Sequence, residues 1–213
     1  IITVDMSSSM GQAVAGNALN EHNEKLTRYD MVKESVLKLI ERKYDQTTGE
    51  ETTEFADEDY IGIVLFDSDA SIALPLTQLY ERDWIAEQIE YSFESYFYKH
   101  TDEKNPSYSN RIKNQGTKDA NGYQIKSYGT NYKFGIDAAN SMLSESDADL
   151  KQMVFLSDGE PSDKNSGYDN TIRRMAQAGV VTSTISVGKD NSNELQNLAT
   201  IGHGKFSQVT STL

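Results

Sequence analysis

The apolar residues of this chain follow two patterns: short continuous runs, and longer stretches in which apolar positions recur every three or four residues. Continuous runs occur at residues 1–4, 60–66, 153–156 and 180–187. A run of this kind is typical of a strand that is covered on both faces within a parallel sheet. We therefore predict buried strands at these positions and a further strand that ends at Val209.

The periodic stretches predict helices that each pack one apolar face against the sheet. Helical spacing extends over residues 26–42, 81–97 and 169–178, and a further helix is expected directly after Thr130. The third stretch is followed by Gly179, and glycine is the residue that most often ends a helix. Strands and helices then alternate to the end of the pattern, which indicates an α/β fold with a doubly wound sheet.

Three polar stretches interrupt these patterns. Residues 12–25 are small and polar and are expected at the surface, and residues 45–59 form an acidic, threonine-rich connection. Residues 98–128 form a longer polar stretch that is rich in Lys, Asn, Ser, Tyr and Gly. A loop of this length without secondary structure is uncommon in a compact domain and is usually functional or disordered.

The tyrosines of the 98–128 stretch suggest a role for it. Tyr108, Tyr123 and Tyr128 lie among Asn and Ser residues, a composition found on protein recognition surfaces. We predict that these three tyrosines contact a partner. The alternative is a lysine-rich surface loop with no binding role.

Length and composition limit the classes of protein to consider. The 213 residues suffice for one α/β core, so we predict a single domain over residues 1–213, excised from a longer protein because it starts inside a strand. Cysteine is absent, which excludes disulfides and thiolate metal sites. The net charge is −13, so the chain lacks the basic surface that nucleic acid binding requires. No apolar run is long enough to span a bilayer, so no direct membrane insertion is expected.

The candidate chemistry begins where the first strand ends. Asp5, Ser7 and Ser9 place three oxygen-bearing side chains on one tight turn. Hard oxygen donors that are crowded together suit a hard cation such as Mg²⁺. Taken alone, these three residues would more simply cap a turn or a helix through hydrogen bonds to the backbone.

Two later segments favour the metal site. Thr130 follows a glycine turn at the head of a predicted helix, and Asp158 follows a buried strand. With these segments the chain resembles the von Willebrand factor A domain over nearly its whole length. The family's metal-ion-dependent adhesion site corresponds here to Asp5, Ser7, Ser9, Thr130 and Asp158. The chain departs from the motif at Ser8, where the family usually has glycine.

The resemblance implies a fold and a set of metal ligands. The fold would be a doubly wound, mostly parallel six-stranded sheet with helices on both faces, with residues 71–74 as a short edge strand and residues 98–128 inserted near the metal face. Ser7 and Ser9 would bind the cation directly, Thr130 would join them in the ligand-ready state, and the aspartates would act directly or through water. The expected cation is Mg²⁺, with Mn²⁺ or Ca²⁺ as alternatives.

The function implied by the resemblance is metal-dependent protein binding, in which an Asp or Glu of a partner completes the metal shell. The inserted segment and the absence of cysteine favour a secreted or surface-attached bacterial adhesin, whose partner would be a host or matrix protein or a glycan. The alternative is a cytoplasmic scaffold or regulatory module in a multi-protein assembly, such as an ATP-driven chelatase, with a mainly structural metal.

No enzyme activity is expected. The three histidines, His22, His100 and His203, are dispersed along the chain, and no serine lies in a Gly-x-Ser-x-Gly turn. The glycine-containing segment 202–205 lacks both the earlier glycine and the Ser or Thr of a phosphate-binding loop. The sequence therefore favours a binding module over a catalyst.

Overall fold

A six-stranded sheet forms the centre of the computed structural model, which describes residues 1–97, 117–125, 129–188 and 192–209. The strands are β1 Ile2–Asp5, β2 Tyr60–Phe66, β3 Ala70–Gln78, β4 Lys151–Ser157, β5 Val180–Val187 and β6 His203–Val209. Their order across the sheet is β3-β2-β1-β4-β5-β6, and every neighbouring pair is parallel except β2 with β3. The predicted doubly wound, mostly parallel six-stranded sheet is confirmed.

Helices cover both faces of this sheet, as predicted. Within the described ranges they are α1 Arg28–Ile40, α2 Arg82–Glu94, α3 Tyr132–Ser144, α4 Tyr168–Gln177 and α5 Asn193–Ile201. The large buried apolar residues of α1 and α2 belong to one apolar core, and those of α3, α4 and α5 belong to a second core. The sheet separates the two cores.

Strand β2 shows why a continuous apolar run predicts a central strand. Ile63 and Leu65 belong to the core on the α1 side, whereas Val64 and Phe66 belong to the core on the α3 side. All four side chains are at most 1% exposed. Successive side chains of a strand point to opposite faces, so a strand with both faces covered needs an apolar residue at every position.

Some predicted boundaries differ from the structure. The helix expected at 81–97 follows one 3₁₀ turn, Leu79–Glu81, and ends in another, Ser95–Phe97, which shortens its α-helical part. The edge strand expected at 71–74 is longer, because its antiparallel pairing with β2 continues to Gln78. Backbone pairing of this kind leaves no mark in the apolar pattern.

The segment 12–25 departs from its predicted surface position. Val14 is 4% exposed and belongs to the core on the α1 side. Isolated β-bridges join Ala13 to Thr27 and Leu19 to Lys25, so the segment folds back toward the start of α1. One apolar residue in a polar stretch carries too little periodicity to predict this burial.

Candidate metal centre

The middle of the sheet is the point where the order of the strands reverses. From β1 the chain continues to β2 on one side, whereas β4 lies on the other side. In open α/β sheets, ligands bind beyond the carboxyl ends of the strands at such a point. Strand β1 ends at Asp5, and β4 ends at Ser157, immediately before Asp158. The topology thus brings together two aspartates that are far apart in the sequence.

Asp5 is fully buried, and both of its carboxylate oxygens accept hydrogen bonds. Oδ1 accepts from the backbone N–H of Ser7 at 2.8 Å, and Oδ2 accepts from the hydroxyl of Ser157 at 2.6 Å. The first bond closes the turn that leads into a 3₁₀ turn at Ser8–Gly11. Ser8, where the resemblance predicts glycine, does not have a positive φ, so a serine side chain is tolerated there.

The hydroxyl of Ser9 links the two strand ends. It donates to Asp158 Oδ1 at 2.8 Å and lies 3.2 Å from the hydroxyl oxygen of Ser7. Asp158 is 1% exposed. The structure therefore gathers four of the five predicted ligand residues into one hydrogen-bonded group, which we call the aspartate–serine group: Asp5, Ser7, Ser9 and Asp158.

Thr130, the fifth predicted ligand, lies at the same edge of the sheet but makes different contacts. Its carbonyl accepts from the N–H of Ser162 at 2.7 Å, and its own N–H donates to the hydroxyl of Ser162 at 3.4 Å. The next residue, Asn131, donates from its backbone to the carbonyl of Asp67, just beyond β2. Among the residues that the structure describes, Thr130 makes no hydrogen bond to the aspartate–serine group.

A carboxylate from the loop after β4 holds the helix that follows Thr130. Asp163 accepts from the backbone N–H groups of Tyr132 and Lys133 at 3.0 and 2.9 Å. These are orphan donors at the start of α3, which an acidic side chain satisfies. The position of Thr130 therefore depends on the same loop that begins at Asp158.

Tyr29, in the first turn of α1, holds the turn after β1 in place through hydrogen bonds to its backbone. Its hydroxyl donates to the carbonyls of Met6 and Ser7 at 2.9 and 2.6 Å. Burial raises the pKa of Tyr29 well above its usual value, so the side chain stays a hydrogen-bond donor. The sequence patterns predicted Tyr29 only as an apolar position of a helix.

Tyr132, in the first turn of α3, reaches the aspartate–serine group through one serine. Its hydroxyl donates to the hydroxyl of Ser157 at 3.0 Å and to the carbonyl of Gly159. Ser157 in turn donates to Asp5. Burial also raises the pKa of Tyr132, so its hydroxyl keeps its proton and remains a donor, shared between Ser157 and Gly159.

The protonation of Asp5 reflects its surroundings. Burial and, second, the negative charge of Asp158 raise the pKa of Asp5 to about 7, although hydrogen bonds from Ser157 and Ser7 oppose the shift. Two carboxylates that share a small buried space are difficult to ionise together unless a cation joins them. The site therefore favours the binding of positive charge.

One cation from the protein itself already contacts this group. Arg28, the first residue of α1, donates from Nη1 to Asp158 Oδ2 at 2.6 Å. Its guanidinium also donates to the carbonyls of Ser9 at 3.3 Å and Gly188 at 3.4 Å. No local sequence pattern predicted this role, because Arg28 and Asp158 are 130 residues apart.

The donor set fits a hard divalent cation. Hydroxyl and carboxylate oxygens are the ligands that Mg²⁺, Mn²⁺ and Ca²⁺ prefer. No cluster of three or more His, Cys, Asp or Glu side chains that could hold a metal occurs in the part of the chain that the structure describes. A cation at the aspartate–serine group would therefore depend on the serine hydroxyls as well as on two carboxylates.

The described part of the 98–128 stretch packs against the turn after β1. The N–H of Ala120 donates to the carbonyl of Gly11 at 2.7 Å, and Asn121 exchanges two hydrogen bonds with the backbone of Lys25. A Cβ at Gly11 would lie 3.0 Å from the Cβ of Asp119, so glycine permits this close approach. Residues 117–125 therefore pack against Gly11 and Lys25, next to the turn that carries Ser7 and Ser9.

The prediction that Tyr123 contacts a partner is corrected by its burial. Its ring is 6% exposed and belongs to the core on the α1 side, and its hydroxyl donates to Glu24 at 2.8 Å. Tyr123 therefore anchors the inserted segment to the domain and offers no ring surface to a partner. Tyr108 and Tyr128, the other two tyrosines of that prediction, lie outside the described residues.

Comparison with known proteins matches a family model to the second half of the chain. Residues 102–212 match the von Willebrand factor type A domain. The matched region contains Thr130 and Asp158, whereas the Asp5 turn lies before it. A comparison with curated proteins found no match.

Several solved structures of low sequence identity share the fold. BatB from Bacteroides thetaiotaomicron is 16% identical with a TM-score of 0.61, over 99% of this chain and 89% of BatB. A von Willebrand factor type A protein from Catenulispora acidiphila is 14% identical with a TM-score of 0.62, over 98% of this chain and 37% of that one. Proximal thread matrix protein 1 from the mussel byssus, solved with a zinc-occupied adhesion-site motif, is 18% identical with a TM-score of 0.60, over 99% and 41% of the two chains. At these identities the likeness establishes the fold alone.

Proposed function

This chain belongs to the von Willebrand factor type A domain family, and we propose that it binds a protein partner through a divalent cation. Domains of this family are protein-interaction modules that are often metal-dependent. Mg²⁺ is the expected cation, with Mn²⁺ or Ca²⁺ as alternatives, and an Asp or Glu of the partner would complete its shell. The residues proposed to hold the cation are Asp5, Ser7, Ser9, Thr130 and Asp158.

A difference between the carboxylates and the hydroxyls supports this proposal. Each carboxylate oxygen of Asp5 and Asp158 already accepts a hydrogen bond from the protein. The hydroxyl oxygens of Ser7 and Ser9 lie 3.2 Å apart and keep lone pairs for a shared ligand. Because the carboxylate oxygens are already engaged, we expect the neutral hydroxyls to contact the cation directly, and the aspartates to reach it through their remaining lone pairs or through water. A cation held in this way keeps much of its positive charge and attracts a partner's carboxylate.

The negative charge of the whole chain opposes the binding of an acidic partner, so a bound cation should be required for that binding. A net charge of −13 repels acidic surfaces at long range. Binding should therefore depend on the local positive charge at the aspartate–serine group. We expect chelation by EDTA to abolish binding of the partner, and Asp5→Ala or Thr130→Ala to do the same.

We propose a binding role rather than a catalytic one. His22 contacts Glu21 near the surface, and His203 is exposed at the start of β6. Neither imidazole belongs to the aspartate–serine group, and His100 lies outside the described residues. The described side chains of that group therefore include no imidazole base that could activate a nucleophile.

We further propose that the domain is part of a secreted or surface-attached bacterial adhesin. The inserted segment beside the metal face and the absence of cysteine support this. Among the described residues, no helix combines the length and apolar character needed to cross a membrane. Antibody labelling of intact cells tests the proposal. Labelling only after lysis would favour the alternative, a cytoplasmic scaffold in a multi-protein assembly.

Calorimetric titration of Mg²⁺ and Mn²⁺ into chelator-treated protein tests the metal site. We expect saturable one-site binding that is weakened about 10- to 100-fold in Asp158→Ala. Asp169→Ala is the matched control, because Asp169 is a partly exposed carboxylate paired with Arg173 on α4. Circular dichroism confirms that each variant is folded. Folded wild-type protein that binds neither cation would overturn the proposal.

A further inference from the structure

The contact between Arg28 and Asp158 places a permanent positive charge beside the proposed metal site. The two side chains are 12% and 1% exposed, so water screens their interaction only weakly. Arginine keeps its proton at any physiological pH. The aspartate–serine group therefore contains a built-in counter-charge, whether or not a metal ion is present.

The fold holds Arg28 in this position from two sides. Thr27 and Asp30 form a capping box that fixes the first turn of α1, where Arg28 begins the helix. On the other side, Gly188 has a φ of +73°, and a Cβ there would lie 2.3 Å from the Arg28 Nε. The end of β5 thus provides a slot that the guanidinium fills, which leaves Arg28 little freedom to move away from Asp158.

From this arrangement we propose that Arg28 sets the charge of the metal site, lowering its affinity for a divalent cation and raising its attraction for an acidic partner. The proposal rests on the proposed function. With both aspartates ionised, Asp5 and Asp158 contribute two negative charges, and Arg28 cancels one. A bound divalent cation then leaves the site with one net positive charge, whereas without Arg28 the site would be neutral.

The same contact also engages the carboxylate of Asp158 that a cation would use. Its Oδ2 accepts from Arg28, and its Oδ1 accepts from the hydroxyl of Ser9. A cation must therefore compete with Arg28 for this carboxylate or reach it through water. A purely structural ion pair would behave differently, because its removal would weaken folding and metal binding together.

The test compares Arg28→Gln and Arg28→Lys with the wild type by calorimetric titration of Mg²⁺ into chelator-treated protein. We expect Arg28→Gln to bind Mg²⁺ roughly tenfold more tightly, because the repulsion between the guanidinium and the cation is removed. Arg28→Lys keeps the charge and should bind within about threefold of the wild type. Arg42→Gln is the matched control, because Arg42 pairs with Asp57 away from this site.

Thermal unfolding provides a second readout. Metal-free Arg28→Gln should unfold at a lower temperature than the wild type, because Asp158 loses its partner, and Mg²⁺ should raise its unfolding temperature by a larger amount. The dependence of the unfolding temperature on Mg²⁺ concentration yields the affinity even where the metal-free variant is partly unfolded.

Three outcomes are distinguishable. Tighter Mg²⁺ binding in Arg28→Gln alone supports the inference. Equal or weaker Mg²⁺ binding in Arg28→Gln, with normal binding by the wild type, overturns the inference and leaves the proposed function intact. Absence of Mg²⁺ binding in every folded variant overturns the proposed function, and this inference with it.

Discussion

Two arginine–aspartate pairs at opposite ends of α1 have similar chemistry and different surroundings. At the carboxyl edge of the sheet, Arg28 pairs with Asp158, which is 1% exposed. At the far end of α1, Arg82 pairs with Asp57, whose side chain is 29% exposed, and donates to the carbonyl of Ile40 at 2.6 Å. The first pair shares its space with a second buried carboxylate and two hydroxyls, whereas the second pair mainly ties backbone segments together.

The two regions differ in the oxygen donors that they offer, and these donors, rather than cavity size, are the basis on which the metal site is proposed. The region around Arg82 lines an open groove of about 830 Å³ together with Tyr80 and Trp84. Its two arginines, Arg42 and Arg82, are both paired with Asp57. A hard cation gains nothing from aromatic walls and is repelled by guanidinium groups. The aspartate–serine group instead offers carboxylate and hydroxyl oxygens at the switch point of the sheet.

The largest expected difference between the two regions is in how each makes the free energy of unfolding depend on pH. Because the pKa of Asp5 is raised to about 7, the folded, metal-free protein holds a proton that the unfolded chain releases near pH 4. The free energy of unfolding should therefore fall as pH rises from about 4 to about 7, by up to ~4 kcal/mol. Urea unfolding in the presence of a chelator, repeated across this pH range, measures the slope.

Two substitutions sharpen that experiment. Asp5→Asn should flatten the slope, because the titrating group is gone. Asp57→Asn should retain the wild-type slope, since hydrogen bonding to Arg42 holds the pKa of Asp57 below its usual value and keeps it ionised throughout the range. Equal slopes in the wild type and Asp5→Asn would show that Asp5 does not cause the dependence of the free energy of unfolding on pH.

The next largest effect is expected at the other arginine. Arg82→Ala should lower the free energy of unfolding by about 3 kcal/mol, because the buried carbonyl of Ile40, the partly buried carbonyl of Phe55 and the carboxylate of Asp57 lose a donor. Mg²⁺ affinity should stay within about twofold of the wild type. The control Arg42→Ala removes a more exposed arginine from the same carboxylate and should have a smaller effect on urea unfolding. A large loss of Mg²⁺ affinity in Arg82→Ala would contradict the separation of the two regions.

Much of the fold could be predicted because burial on two faces leaves a strong record in the sequence. Strand β2 is apolar at nearly every position, and β1 beside it is buried along its whole length. The length of β3 could not be predicted, because its exposure pattern is irregular and its extent depends on antiparallel pairing with β2. The same holds for Val14, whose burial depends on bridges formed elsewhere in its segment.

Some residues of the candidate site could likewise be predicted from the sequence, and others could not. Asp5 and Asp158 were predicted to meet because each follows a buried strand, and the sheet order brings their strands together. Arg28 and Tyr132 were missed as site residues, because their roles depend on how helices from distant parts of the chain begin beside the sheet. Tyr123 was predicted at a surface from its polar neighbours, but the loop turns its ring into the core. Local composition does not record these tertiary contacts.

The smallest predicted effect separates two tyrosines that pack against each other. Tyr132 and Tyr168 have ring centroids 5.5 Å apart, and each hydroxyl donates to a different partner. Replacing either by Phe should lower the free energy of unfolding by about 1 kcal/mol. Only Tyr132→Phe should also weaken Mg²⁺ binding, by about tenfold, because it frees Ser157 from the orientation that serves Asp5. Urea unfolding and calorimetric titration measure the two effects. If Tyr168→Phe weakened Mg²⁺ binding equally, the aromatic packing rather than the hydroxyl chain would support the carboxyl edge.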